Sequence, residues 1–275
     1  MCFAANSVIT RYLVLVSRVS PFLVTMIRFV SGLLVLLALV QARPADFRPA
    51  KMRQTNLLGG LFLGVYAFSI SYGYLFIPVA AGTLVFYTAV VMTMVAYSVI
   101  NDREKLTFRL GLGLLLGLLG VIAITFSKIS AVTLPGVFLM IATGASWGLY
   151  SVYGRKFDVA FGYTYNSFLI LGAFAVIAGL ALSSFHQLTL ANLSPFDLGL
   201  ALYMGMLSTA LSYVVWNRTM KKIPAYLGGL VQVTVPVLAS IMGIIFLREI
   251  ITTALVLGGA LVLSGIYLVE FKRKS

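Results

Sequence analysis

Apolar runs of span length follow one another along the whole chain, separated by short polar segments. A helix needs about 20 mainly apolar residues to cross a bilayer. Runs of that kind lie at about 2–17, 22–41, 57–76, 79–100 and 108–127, and again at about 136–154, 166–185, 198–216, 225–246 and 253–271. The pattern predicts an all-α membrane protein of ten transmembrane helices. The first is expected to be shortened, because it begins at Met1 and meets Arg11 and Arg18 almost at once.

Composition agrees with this reading. Of 275 residues, 61% are hydrophobic and 10% charged, against about 45–50% apolar and about 25% charged in a soluble domain. The net charge of +13 could in principle suit nucleic acid. Its placement argues otherwise, since the cations cluster between apolar runs. Alternate loops hold fifteen of the twenty Lys and Arg on one side and four on the other, with Arg28 inside the second span. The positive-inside rule puts the rich side, and both termini, in the cytoplasm. Cys2 and His186 are single residues of their kind, so no disulfide, metal site or other cofactor is expected.

The chain also repeats itself. Arg103-Glu104 recurs 145 residues later as Arg248-Glu249, and at the same offset Ala80 matches Ala225, Thr107 matches Thr252, Gly113 matches Gly258 and Gly120 matches Gly265. Arg11 matches Arg155 at an offset of 144. Two repeats, 1–127 and 128–275, would each hold five helices. An odd number makes the second cross in the opposite sense, the inverted-topology construction of secondary transporters.

At these residues the chain resembles the EamA-type branch of the drug/metabolite transporter superfamily. Residues 230–249, LVQVTVPVLASIMGIIFLRE, are similar to that family's ninth-helix motif, with Gln232, Pro236 and Glu249. Trp147-Gly148 followed by Arg155 resembles its sixth-helix opening, and Asn6 with Arg11 and Phe22 with Arg28-Phe29 resemble its first two helices. Two positions depart: Phe3-Ala4 stands where the family has Trp-Gly, and Val91 where it has Pro. The resemblance implies a secondary transporter of small organic metabolites in a prokaryotic inner membrane, with export as the expected direction. The alternative is a non-transporting membrane scaffold or sensor. An enzyme would need a clustered acid/base or nucleophile set, and none is visible.

Binding sites in such folds lie near the bilayer midplane at the repeat interface. Polar residues sharing a helical face in mid-span are therefore the candidates: Thr209, Ser212, Tyr213 and Trp216 in span 8, Gln232 in span 9, Tyr66 and Tyr72 in span 3, Tyr87 in span 4, Trp147 and Tyr150 in span 6, and Asn6 in span 1. Tyr72 and Trp216 also suit an interfacial belt. An aromatic lining favours neutral, zwitterionic or aromatic substrates. Pro236 removes a helical hydrogen bond and is a candidate hinge. Arg28 either faces a substrate carboxylate or a helix C-terminus, or snorkels to the interface. Gly113 and Gly117, with Gly258 and Gly265, suit close helix packing or a homodimer contact. Every Asp and Glu falls in a loop or at a span end and no P-loop is present, which points to a facilitator or exchanger. Substrate and membrane lipid are the expected partners.

Overall fold

The computed structural model describes residues 2–42, 54–103, 107–125, 132–157, 159–184, 193–223 and 234–270, together with Lys105, Ala225, Gly228, Gly229 and Gln232. Described residues form helices and short connections, with no strand among them. We number the helices in chain order. α1 is Cys2–Val16, α2 Pro21–Ala42, α3 Gln54–Gly73, α4 Val79–Asn101 and α5 Phe108–Thr125. α6 is Leu134–Gly154, α7 Ala160–Ser184, α8 Pro195–Met220, α9 Thr234–Leu247 and α10 Thr253–Glu270. Six are long and apolar enough to cross a membrane, and α1, α5, α9 and α10 hold shorter apolar stretches. Leu34, Leu61, Phe138, Phe174, Ile177 and Phe246 are each more than half exposed. Water would not tolerate such a belt, whereas lipid solvates it.

Helix ends follow local chemistry. Thr133 accepts from the backbone N–H of Gly136 to start α6, and Ser194 with Asp197 forms a capping box at the start of α8. After α9, Arg248 adopts φ 54°, and the N–H of Glu249 bonds back to the carbonyl of Gly243 at 3.3 Å. This closure satisfies carbonyls the helix would otherwise orphan and turns Glu249 toward the start of α4. Arg18 and Arg103 take the same left-handed conformation after α1 and α4.

Two elements differ from the sequence pattern. α7 begins six residues earlier than the expected 166, because its polar start is satisfied inside the bundle: the Tyr163 hydroxyl donates to the Tyr150 carbonyl at 2.9 Å. The ninth span is not one continuous helix. Ala225, Gly228 and Gly229 are helical, Gln232 lies in a turn, and α9 starts at Thr234. Pro236 has no N–H to offer the Gln232 carbonyl, which accepts from Val235 instead at 2.9 Å. The proline therefore sits just inside the start of a helix, after a break, rather than at a mid-helix kink.

Most of the tight packing joins an early helix to a late one. α3 and α4 lie on α6, α2 and α3 on α7, α2 on α8, α1 on α8 and α9, α4 on α9, and α5 on α10. Exchanging each helix for the one five places away leaves these pairings nearly unchanged. The α5–α10 contact is the most extensive. A Cβ at Gly120 would meet the Gly258 carbonyl at 2.6 Å, and one at Gly265 would strike the Gly113 carbonyl. Gly120, Gly258 and Gly265 are thus consumed in packing one helix of the chain against another.

Candidate functional site

α2 is apolar apart from a few residues, and the largest polar one, Arg28, is 1% exposed. It is carried into the interior because α2 lies directly on α8. A Cβ at Gly205 would collide with the Ser31 hydroxyl and the Arg28 backbone carbonyl. Just past Gly205, α8 widens into a π-helical segment, Met206–Leu211. Such wide turns are frequent at functional sites. Here it turns the consecutive residues Ser208 and Thr209 both inward, each fully buried.

The Arg28 guanidinium is held by neutral groups. Nε donates to the Thr209 hydroxyl at 2.7 Å, and Nη2 donates to the hydroxyls of Tyr66 and Tyr213, both at 3.1 Å. Its carbon lies 5.2 Å from the Phe29 ring centroid and 5.5 Å from that of Tyr66, within cation–π range. Nη1 is buried without a hydrogen-bond partner. No carboxylate among the described residues pairs with this cation.

Beside it lies an aromatic cluster centred on Trp147 of α6. Tyr213 is 4.7 Å away by ring centroid, Tyr66 5.3 Å, Tyr150 and Phe3 5.6 Å, and Trp216 6.1 Å. Trp147 Nε1 donates to Gln232 Oε1 at 2.7 Å, and Gln232 Nε2 donates to the Gly228 carbonyl at 3.0 Å. The break before α9 thus places a side-chain amide against the central indole. Trp216 Nε1 donates to Ser151 at 2.9 Å, and Asn217 Nδ2 donates to the Tyr150 hydroxyl at 3.0 Å and to Thr164 at 2.8 Å. The cluster draws on α1, α3, α6 and α8, with Gln232 from before α9. Phe3, standing where the resembled family has Trp, touches Trp147, Tyr213 and Trp216.

Toward one end of the bundle a second polar set closes the gap between α1, α4 and α9. Arg11 Nε lies 2.9 Å from Glu249 Oε1, and both side chains are nearly buried at 11% and 10% exposure. Arg11 Nη1 donates to the carbonyls of Tyr74 and Ile77, each at 2.7 Å. Glu249 accepts from the backbone N–H groups of Val79 at 2.8 Å and Ala80 at 3.3 Å, where a carboxylate complements the α4 dipole. A Cβ at Gly243 would meet Glu249 Oε2 at 3.0 Å, so this glycine makes room for the carboxylate. A looser pair, Arg155 with Asp102, lies at 3.5 Å. Glu104, the repeat counterpart of Glu249, is outside the described residues, as are Asp46, Asp158 and His186.

Nine of the candidate residues meet in one interior region: Arg28, Thr209, Tyr66, Tyr213, Trp147, Tyr150, Trp216, Gln232 and Tyr87, the last buried and joined to Tyr66 through Phe86, whose ring lies 4.3 Å from that of Tyr87 and 6.1 Å from that of Tyr66. Arg28 does not snorkel, and Trp216, 6% exposed, is no belt residue. Asn6 is buried next to this region. Its amide donates to the Ser208 carbonyl at 3.0 Å and accepts from the Ser208 hydroxyl at 2.7 Å. Two candidates fall elsewhere. Ser212 spends its hydroxyl on the Leu207 carbonyl at 3.0 Å, because the π segment rotates it off the stripe a 3.6-residue period predicts. Tyr72 is 39% exposed near the end of α3, where a belt role fits it. Ser208, Ser151, Thr164 and Asn217 also belong to this region without standing out in the sequence. Asn217 sits one residue past the expected end of span 8, and its only signal was polarity next to Trp216.

The sequence profile of the EamA-like transporter family matches residues 1–126 and 134–271. An uncharacterized protein of Pseudomonas aeruginosa is 33% identical over 270 residues, covering 98% of this chain and 91% of its own length. An uncharacterized transporter of Bacillus subtilis is 27% identical over 100% of this chain and 85% of its own. Another, of Archaeoglobus fulgidus, is 26% identical over 78% and 76% respectively. One solved crystal structure superposes with a TM-score of 0.68 at 21% identity, over 98% of this chain and 95% of that one, so the two share a fold.

Proposed function

Since the chain belongs to the EamA-like transporter family, we propose that this multi-pass membrane transporter moves small organic metabolites by alternating access, with the interior region around Trp147, Gln232 and Arg28 as its substrate site. The observation that carries the reading is the convergence of buried aromatic and polar side chains from both halves of the chain on one interior point. Lipid-facing scaffolds have no need of such a point, and buried polar groups are costly unless they do something there.

The two halves, 1–127 and 128–275, act in this reading as inverted repeats. Support comes from the packing pattern that survives exchange of the halves and from the family profile matching each half. Arg11, Glu249 and the start of α4 are the gate at one end, held shut in this conformation. Arg155 and Asp102 belong to the opposite end, nearer the cytoplasm by the positive-inside rule. The turn at Gln232 with Pro236 behind it is the hinge: Pro236 offers no N–H to the Gln232 carbonyl, so bending there breaks no bond between those two residues. The direction is export, from a cytoplasm containing both termini, across a prokaryotic inner membrane. The carrier is a facilitator or exchanger.

Flux of metabolites into proteoliposomes tests this reading. Saturable flux that persists without a pH gradient is expected, and Trp147→Ala should reduce it at least tenfold while the protein still inserts and elutes as wild type. Wild-type liposomes with no saturable flux across a broad metabolite panel would overturn it. Flux abolished by collapsing the pH gradient alone would overturn the facilitator assignment.

A further inference from the structure

Taking the interior cluster as the substrate site, we infer that Arg28 is an anion-binding subsite, and that the substrate is an organic monocarboxylate with an aromatic or apolar body and no required ammonium group. A guanidinium removed from water is expensive unless a charge offsets it, and buried charges are ordinarily paired. Arg11 obeys that rule through Glu249. Arg28 does not: it is 1% exposed, three hydroxyls accept from it, and Nη1 has no partner. The missing partner is an anion that is not part of the described chain.

The surroundings say what kind. A planar fork of N–H donors matches a carboxylate. Tyr66 and Tyr213 each use an oxygen lone pair on Arg28 and also bond to each other, so one phenol hydrogen is spent between them and the other can turn toward an incoming acceptor. The rings of the same two tyrosines rest on Trp147 at 5.3 and 4.7 Å. Charge recognition and ring recognition are therefore joined through shared residues, one phenol's length apart. A molecule with its carboxylate at Arg28 would lay its body against Trp147.

The ammonium of a zwitterion would be paired most strongly by a carboxylate from the protein. The described carboxylates near the interior are occupied elsewhere. Glu249 holds Arg11 and the start of α4, and Asp197 is bonded to Ser194 and Ser17 at 2.7 and 2.8 Å. Asp102 faces Arg155 at the periphery. The cation is served and the ammonium is not.

Binding of three probes with a common phenethyl body to the purified full chain in lipid nanodiscs tests this, read by thermal shift and by quenching of tryptophan fluorescence. The probes are 3-phenylpropanoate, its neutral amide and 2-phenylethylamine. The carboxylate should bind at least tenfold more tightly than either of the others. Arg28→Gln, whose amide ends where Nε lies and can still reach Thr209, should erase that preference, and Arg28→Lys should restore part of it. Equal affinity for carboxylate and amide in the wild type would overturn the inference. So would a preference that survives in Arg28→Gln, or no saturable response to the carboxylate. Amide binding as tight as that of the carboxylate, and abolished by Trp147→Ala, would leave the aromatic region standing as a substrate site while refuting the anion. Transport itself is judged separately by the flux assay.

Discussion

Arg11 and Arg28 are both arginines drawn out of solvent into a helical bundle, and their company differs completely. Arg11 meets a carboxylate, two backbone carbonyls and the N-terminus of α4. Arg28 meets only hydroxyls and rings. The first arrangement is self-sufficient: each charge cancels the other, and the spare lone pairs are used. It belongs to a latch. The second is incomplete in this conformation, and incompleteness inside a membrane marks a position where something else is to be bound.

The sharpest way to break the comparison is to make Arg11 resemble Arg28. Glu249→Gln leaves Arg11 without its counter-charge and weakens the cap on α4. Stranding a buried ion costs about 3–5 kcal/mol, so the melting temperature should fall by the largest amount of any single change considered, measured on protein in nanodiscs. An unchanged melting curve would show that the latch contributes nothing to this conformation.

A smaller effect is expected from loosening Arg28 further. Thr209→Val keeps the shape of the side chain but removes the acceptor at Nε. A hydrogen bond to a charged group contributes about 1.5–3 kcal/mol, and stability should drop by that order. The carboxylate probe should recover part of the loss by supplying acceptors, and the amide probe should not. Least of all should follow from Asp102→Asn. The Arg155 pair is partly exposed, at 26% and 40%, and 3.5 Å long. Exposed pairs contribute about 0–1 kcal/mol, and raising the salt concentration should erase even that difference between variant and wild type.

Much of this was legible in the sequence because lipid imposes a simple rule. Ten apolar runs became ten helices, most with ends within a few residues of those expected, since a bilayer fixes the length of what crosses it. The rule fails where helices need not be regular. Nothing in the residue pattern announces the wide turn over Met206–Leu211, and a period of 3.6 carried straight through it puts Ser212 on the wrong face. The break at Gln232 was hinted at only by Pro236, which removes one hydrogen bond without saying on which side the chain will yield. The start of α7 was hidden for the opposite reason. Residues 160–165 look too polar for a span until Tyr163 and Thr164 are seen bonded to Tyr150 and Asn217.

The candidate site was visible in outline: nine of twelve candidates gathered around Trp147 and Arg28, with Asn6 alongside. Spacing could propose that Arg28 was intramembrane, but not that it would lack a carboxylate, because pairing is decided by helices distant in sequence. Tyr66 and Tyr213, 147 positions apart in the sequence, reach the same guanidinium nitrogen.

The glycine seam between α5 and α10 bears on how the chain is made. α5 emerges from the ribosome with its small-residue face bare, since its extensive contact is with α10, much later in the chain. That face must wait in the bilayer, while α6, α7, α8 and α9 insert, for the surface shaped to receive it. Closure of this seam is therefore timed by the arrival of α10 rather than by that of any earlier helix.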